Sequence, residues 1–137
     1  MKFRKKQNIE GGELMRLLDC TKEELKIYKE KFDLKLGTWD MAEPEDISMI
    51  EIDGEIVALI EFSNGMYGEN SVQIDNFEVF NKGRGIGSKI VEELTKDLDG
   101  AKVYLYPYSK KSDAFWKKCK FEVFDDGTGT PILCYQE

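Results

Sequence analysis

The segment Lys82-Gly83-Arg84-Gly85-Ile86-Gly87-Ser88 sets glycines at alternate positions, with two cations and a hydroxyl among them. Ahead of it, Phe77, Val79 and Phe80 favour a strand. After it, Ile86, Ile90, Val91, Leu94 and Leu98 fall on one face of a 3.6-residue helix. Residues 77–98 therefore read as strand, glycine loop and helix in direct succession. The first amides of such a helix lack intrahelical partners, and the positive end of its dipole lies beside them. Without side chains at the glycines, an anion can approach the main chain closely. The chemistry this allows is the grip of a phosphate or pyrophosphate. It is not that of a P-loop, because Ser88 precedes Lys89 and the motif needs the reverse order. A dinucleotide fingerprint would need a glycine at position 88, and too little chain follows to complete a doubly wound domain.

The same hexapeptide, Lys82 to Gly87, resembles the [QR]-x-x-G-x-[GA] signature of the GNAT superfamily of acyl-CoA-dependent N-acyltransferases, with Lys82 at the first position. Downstream, Phe115-Trp116-Lys117-Lys118-Cys119-Lys120-Phe121 is similar to the family's helix ending, F-Y-x-K-x-G-F. Trp116 stands at the tyrosine and Lys120 at the glycine. The resemblance spans roughly the second half of the chain. It implies acetyl-CoA as co-substrate and no metal. It places Phe77, Val79, Lys82, Gly83, Arg84, Gly85, Ile86, Gly87, Ser88, Ser109, Lys110 and Trp116 on the cofactor side, with Trp116 beside the pantetheine arm.

Acetylation of an amine asks for three things: a proton removed from the amine, a polarised thioester carbonyl and a protonated leaving thiolate. The resemblance assigns the carbonyl to a main-chain N–H of Val79 or a neighbour, a role that needs no particular side chain. A carboxylate would be the base, directly or through water. Glu78 and Asp75 are the candidates on the strand, and alternation puts them on opposite faces, so only one meets the substrate. Glu61 and Glu69 are further choices. Indole is no practical acid, so the acid falls to Tyr106, with Tyr104, Tyr108 and Cys119 as alternatives. The acceptor is expected to be a small-molecule or peptidic amine. A second reading is a GNAT-fold protein that binds coenzyme A or a protein without turnover.

Charge is unevenly distributed. Residues 36–81 contain no Lys or Arg but hold Asp40, Glu43, Glu45, Asp46, Glu51, Asp53, Glu55, Glu61, Glu69, Asp75 and Glu78. Lys82, Arg84, Lys89, Lys110, Lys111, Lys117, Lys118 and Lys120 follow. An acidic approach would draw in a cationic amine, whereas the plain alternative is a solvated surface. Trp39, just ahead of most of these acids, is either a cap over helices or an aromatic wall for a cation.

The net charge of −7 argues against a nucleic-acid partner. With 137 residues and 41% hydrophobic content, one domain with its own core is expected, as a monomer or homodimer. No apolar run is long enough for a membrane span, and no apolar stretch follows the basic start as a leader would require. Cys20, Cys119 and Cys134 show no metal spacing and histidine is absent, so reduced thiols in a cytoplasm are expected.

The elements that must position these residues read as follows. Residues 2–9 suggest a strand, closed by Gly11 and Gly12. Residues 13–19 suggest a short helix with Leu14, Leu17 and Leu18 inward. Thr21 and Glu24 form a capping box that starts a helix carrying Leu25, Tyr28 and Phe32. The two helices make a hairpin, which the family would place at the acceptor site. Strands 47–52 and 56–62 flank a type I′ signal, Asp53-Gly54. Strand 72–80 leads into the glycine loop. Strand 102–106, helix 109–118 and strands 121–124 and 132–135 complete the chain. The order β-α-α-β-β-β-α-β-α-β-β gives a mixed, mostly antiparallel sheet with helices on both faces, a GNAT-like α/β fold.

Overall fold

The computed structural model describes residues 6–8, 14–32, 34, 39, 44–65, 67–96, 98 and 100–136. The expected punctuation at Gly11 and Gly12, and the acids Asp40 and Glu43, lie outside the described residues. Strands β1 (Lys6–Asn8), β2 (Leu14–Asp19), β3 (Ile47–Ile52), β4 (Glu55–Asn64), β5 (Ser71–Val79), β6 (Lys102–Leu105), β7 (Glu122–Val123) and β8 (Leu133–Tyr135) form one sheet. Their order is β1-β2-β3-β4-β5-β6-β8-β7. Among the described strands, only the β5–β6 pairing is parallel. Among the described residues, three α-helices accompany the sheet: α1 (Lys22–Phe32), α2 (Ile86–Thr95) and α3 (Lys110–Lys118). The chain thus has the expected mixed, mostly antiparallel α/β architecture.

One expected element is of the wrong type. The apolar spacing of residues 13–19 suggests a helix, yet Leu14–Asp19 is β2, paired antiparallel with β3 from Met15 opposite Ile52 to Asp19 opposite Ser48. Met15 and Leu17 face one core and Leu18 the other. A strand covered on both sides does not alternate, and a short apolar run then fits either period. The ladder with β3 decides. Among the described residues, α1 is thus the one α-helix before β3, with a short 3-10 turn at Pro44–Asp46, in place of the expected helical hairpin.

The turn signals behave as their chemistry demands. Asp53 and Gly54 take φ of 49° and 84°, the paired positive values of a type I′ turn. Thr21 Oγ1 accepts from the Glu24 amide, and Glu24 Oε1 accepts from the Thr21 amide, both at 3.1 Å. That reciprocal cap starts α1.

Side-chain alternation sorts the apolar residues into two cores. On one face, Ile50, Ala58, Ile60, Val72 and Ile74 pack with Ile90, Val91 and Leu94 of α2 and Trp116 of α3. On the other, Ile47, Met49 and Leu59 pack with Leu25 of α1 and with Trp39. Helices therefore cover both faces.

Lys120 ends α3 with φ of 73°, in the left-handed region. The Phe121 amide reaches back to the Trp116 carbonyl at 3.1 Å, closing the helix end as a Schellman turn does. A glycine would adopt this conformation without cost, and lysine there is strained. Lys120→Gly is expected to raise stability by about 0.5–1 kcal/mol, read as a higher urea midpoint at unchanged slope. A lower midpoint would show that the lysine stem contributes more than its backbone costs.

Candidate functional site

The site begins where two parallel strands part. β5 and β6 pair from Ser71 opposite Lys102 to Ile74 opposite Leu105, and no further. β6 ends there, before Tyr106 and Pro107, while β5 runs on to Val79. The parting coincides with an irregularity between β4 and β5. Glu61 pairs with Asn76 and Phe62 with Ile74, so Asp75 is an extra residue. Such a bulge bends its strand and increases the local twist.

Beyond the bulge, one edge of β5 stays paired with β4 and the other opens. The Phe80 amide donates to the Val57 carbonyl at 2.9 Å, so its N–H points toward β4. In an antiparallel ladder the direction alternates, and the main-chain groups of Phe77 and Val79 therefore point away from β4, into the opening. Their side chains close the α2–α3 side: the Phe77 ring lies 6.3 Å from that of Phe115 and 5.7 Å from that of Trp116.

The opening leads directly to the glycine loop. Gly83 and Gly85 have φ of 87° and 73°, and a Cβ on either would meet nothing within 4 Å. This is bare main chain facing open space. Gly85 is the N-cap of α2, no side chain caps that end, and no acid stands in the first turn. The amides of Ile86, Gly87 and Ser88 thus keep their capacity for an anion. Gly87 has a different task. A Cβ there would lie 3.2 Å from the Phe115 ring and 3.4 Å from Val79 Cγ2, so glycine lets α2 pack onto α3 and the end of β5. Arg84 is exposed and makes no ion pair among the described residues. These features fit a pyrophosphate, and Arg84 would reach it as a mobile cation.

Other expected cofactor residues are engaged elsewhere. Lys82 Nζ turns back to Glu78 Oε2 at 3.0 Å. Ser109 Oγ caps α3 by accepting from the Ser112 amide at 3.1 Å, and Lys110 is exposed in the first turn of that helix. Trp116 is buried at 6% exposure, within ring contact of Phe77, Phe115 and Phe121. It is core behind the opening and not a wall of it.

The carboxylates separate clearly. Glu78 and Glu61 are buried on the α1 side of the sheet, at diagonal positions on β5 and β4. Trp39 Nε1 donates to Glu78 Oε1 at 3.1 Å, and Asn76 Nδ2 donates to Glu61 Oε1 at 2.7 Å. Trp39 is only 1% exposed, so no cation can rest against it as an aromatic wall would require. Asp75 reaches solvent at the bulge. Desolvation holds its carboxyl above the ordinary value and nearby Asp46 adds to this, against hydrogen bonds from Ser63 and Gln73. Glu69 lies on an exposed turn.

The candidate acids scatter. Tyr106 is 42% exposed and Tyr108 66%. Tyr106 engages Tyr67, whose hydroxyl donates to Asp126 Oδ2 at 2.8 Å. Tyr104 is buried against the rings of Tyr67 and Phe124, 4.6 and 5.1 Å away. Burial pushes the Cys119 thiol up, offset in part by a bond to the Ser88 hydroxyl. The Glu78–Trp39 bond and the Tyr67–Asp126 link join residues 39 and 59 positions apart, and no local sequence signal marks either.

No protein-family model matches the chain, and no curated protein matches it in sequence. Solved structures do. An acetyltransferase from Thermus thermophilus superposes with a TM-score of 0.63 at 17% identity, over 90% of this chain and 97% of that one. The Bacillus subtilis N-acetyltransferase YlbP, in complex with coenzyme A, gives 0.61 at 17%, over 90% and 95%. The aminoglycoside acetyltransferase AAC(6')-Ib, also with coenzyme A, gives 0.62 at 15%, over 90% and 94%. The chain has the GNAT fold. No described helix is long and apolar enough to cross a membrane, and no metal-binding group of side chains occurs among the described residues.

Proposed function

We propose that this protein is an N-acetyltransferase that passes an acetyl group from acetyl-CoA to a primary amine by direct attack in a ternary complex. The observation that carries the reading is the parting of β5 from β6 after Ile74, beyond which β5 runs on to Val79 and into an α2 N-terminus with no side-chain cap. A pantetheine arm can pair with β5 there as an added strand while its pyrophosphate sits on the Gly83–Arg84–Gly85 main chain. The inward N–H of Phe77 or Val79 then faces the thioester carbonyl, and a fixed donor of this kind is typically worth a few kcal/mol.

Glu78 lies between these two residues on the side of α1 and is the base favoured by position, acting through water. Asp75, at the mouth, attracts the acceptor. Tyr106 begins where β6 stops, across from the bulge, and is the candidate proton donor to the thiolate. The second reading, coenzyme A binding without turnover, is favoured by one observation: the tyrosine position holds a buried tryptophan. Thiol release from acetyl-CoA over a panel of primary amines separates the two. Binding by calorimetry with no release for any amine would leave only the second.

The acceptor is expected to be cationic, such as a polyamine, an aminoglycoside-like amine, or a lysine or N-terminal amine in a basic context. Around the bulge Asp46 lies close enough to help raise the Asp75 carboxyl, on a stretch with no basic residue. At low salt, kcat/KM should fall roughly tenfold from a +2 amine to a matched −1 amine, and added salt should narrow the gap. Equal values for both amines would assign these acids to the surface alone.

A further inference from the structure

Lys82 has two claims on it. It is the first residue of the loop proposed to hold a pyrophosphate, yet in the structure its ammonium is held 3.0 Å from Glu78. The Lys82 side chain is 57% exposed and free to swing, whereas that of Glu78 is 4% exposed. The carboxylate cannot follow, because the buried Trp39 indole fixes its other oxygen at 3.1 Å. One mobile cation thus stands between a fixed buried anion and the place of an incoming one.

We infer that Lys82 is a shuttle between Glu78 and the coenzyme A pyrophosphate, so that cofactor binding strips the lysine from the buried carboxylate. The inference rests on the coenzyme A reading proposed above. Its physical content is competition. While paired with Lys82, Glu78 has its charge compensated and is a poor proton acceptor. When Lys82 turns to the pyrophosphate, Glu78 keeps the Trp39 bond but loses the Lys82 charge. An opposite charge withdrawn from a buried carboxylate raises proton affinity. Lys82 is therefore a positioning residue that ties readiness of the base to occupancy of the loop, and the acid stays quenched in the cofactor-free protein.

Competition has a signature in binding alone. If Glu78 holds the lysine back, removing its charge should release Lys82 and tighten coenzyme A binding. The test is a cycle of Glu78→Gln, Lys82→Met and the double variant, titrated with coenzyme A by calorimetry. Glutamine still accepts from the Trp39 indole, and methionine keeps most of the lysine stem, so both changes should preserve the fold. Glu78→Gln is expected to tighten binding about fivefold when Lys82 is present, a coupling of ordinary size between linked sites. In the Lys82→Met background the same change should have less than about a twofold effect, the residue of simple charge repulsion. Lys82→Arg should restore the full response. Equal effects of Glu78→Gln in both backgrounds, or weaker binding by Glu78→Gln alone, would overturn the shuttle while leaving the coenzyme A reading intact. Absence of binding by the unaltered protein would overturn that reading, and the shuttle with it.

Discussion

Gly85→Glu is expected to weaken coenzyme A binding by at least about a hundredfold in a protein that still folds. Two effects act together. Gly85 takes φ of 73°, which a side chain adopts only at a cost of roughly 1–2 kcal/mol. The added carboxylate also stands at the N-cap of α2, where the pyrophosphate is proposed to sit. Like charges about 4 Å apart in a partly screened site repel by about 4 kcal/mol. The fold should survive, because a Cβ at Gly85 meets nothing within 4 Å. Gly85→Ala carries the backbone cost without the charge and should bind far better than the glutamate variant. Matching affinities for parent and Gly85→Glu, with both folded by circular dichroism, would remove the pyrophosphate from this loop.

Trp116→Ala is expected to cost about 3–5 kcal/mol of stability. The resemblance placed this ring beside the pantetheine arm, where its loss would weaken cofactor binding and little else. The structure instead buries it at 6% exposure among Phe77, Phe115 and Phe121, with ring centroids 5.0–5.7 Å away. Truncation would leave a cavity beneath the edge of β5 that faces the opening. Trp116→Phe keeps much of the contact and should lose markedly less. Urea unfolding of both variants checks the order. An alanine variant as stable as its parent, but impaired in coenzyme A binding, would return the indole to the site.

The glycine loop was legible because its signals are local. Alternate glycines, a β-rich run before them and a 3.6-residue period after them belong to one contiguous stretch, and each constrains its own backbone. The capping box at Thr21 and the positive-φ turn at Asp53-Gly54 were legible for the same reason. Lys120 was visible as a departure from a glycine pattern, and its positive φ explains what the pattern encodes. Residues 14–19 failed as a local reading. Their apolar spacing satisfies both periods, and the choice is made by pairing with Ile52–Ser48, 29 to 37 positions away in sequence.

Opposite outcomes for two acids on one strand show most plainly where sequence stops. By itself, the sequence determined the strand, the loop, the helix and the carboxylates of Asp75 and Glu78. It could not determine which one faces which side. Strict alternation puts them on opposite faces, but the register with β4 makes Asp75 the extra residue of a bulge. That choice leaves Asp75 at the mouth and sends Glu78 inward to Trp39 and Lys82. The same bulge marks where β5 leaves β6, and so creates the opening itself. A bulge is a mismatch between two strands and has no counterpart in either strand's own sequence. Only the tertiary pairing could decide it, because the free energy that fixes the register belongs to both strands at once.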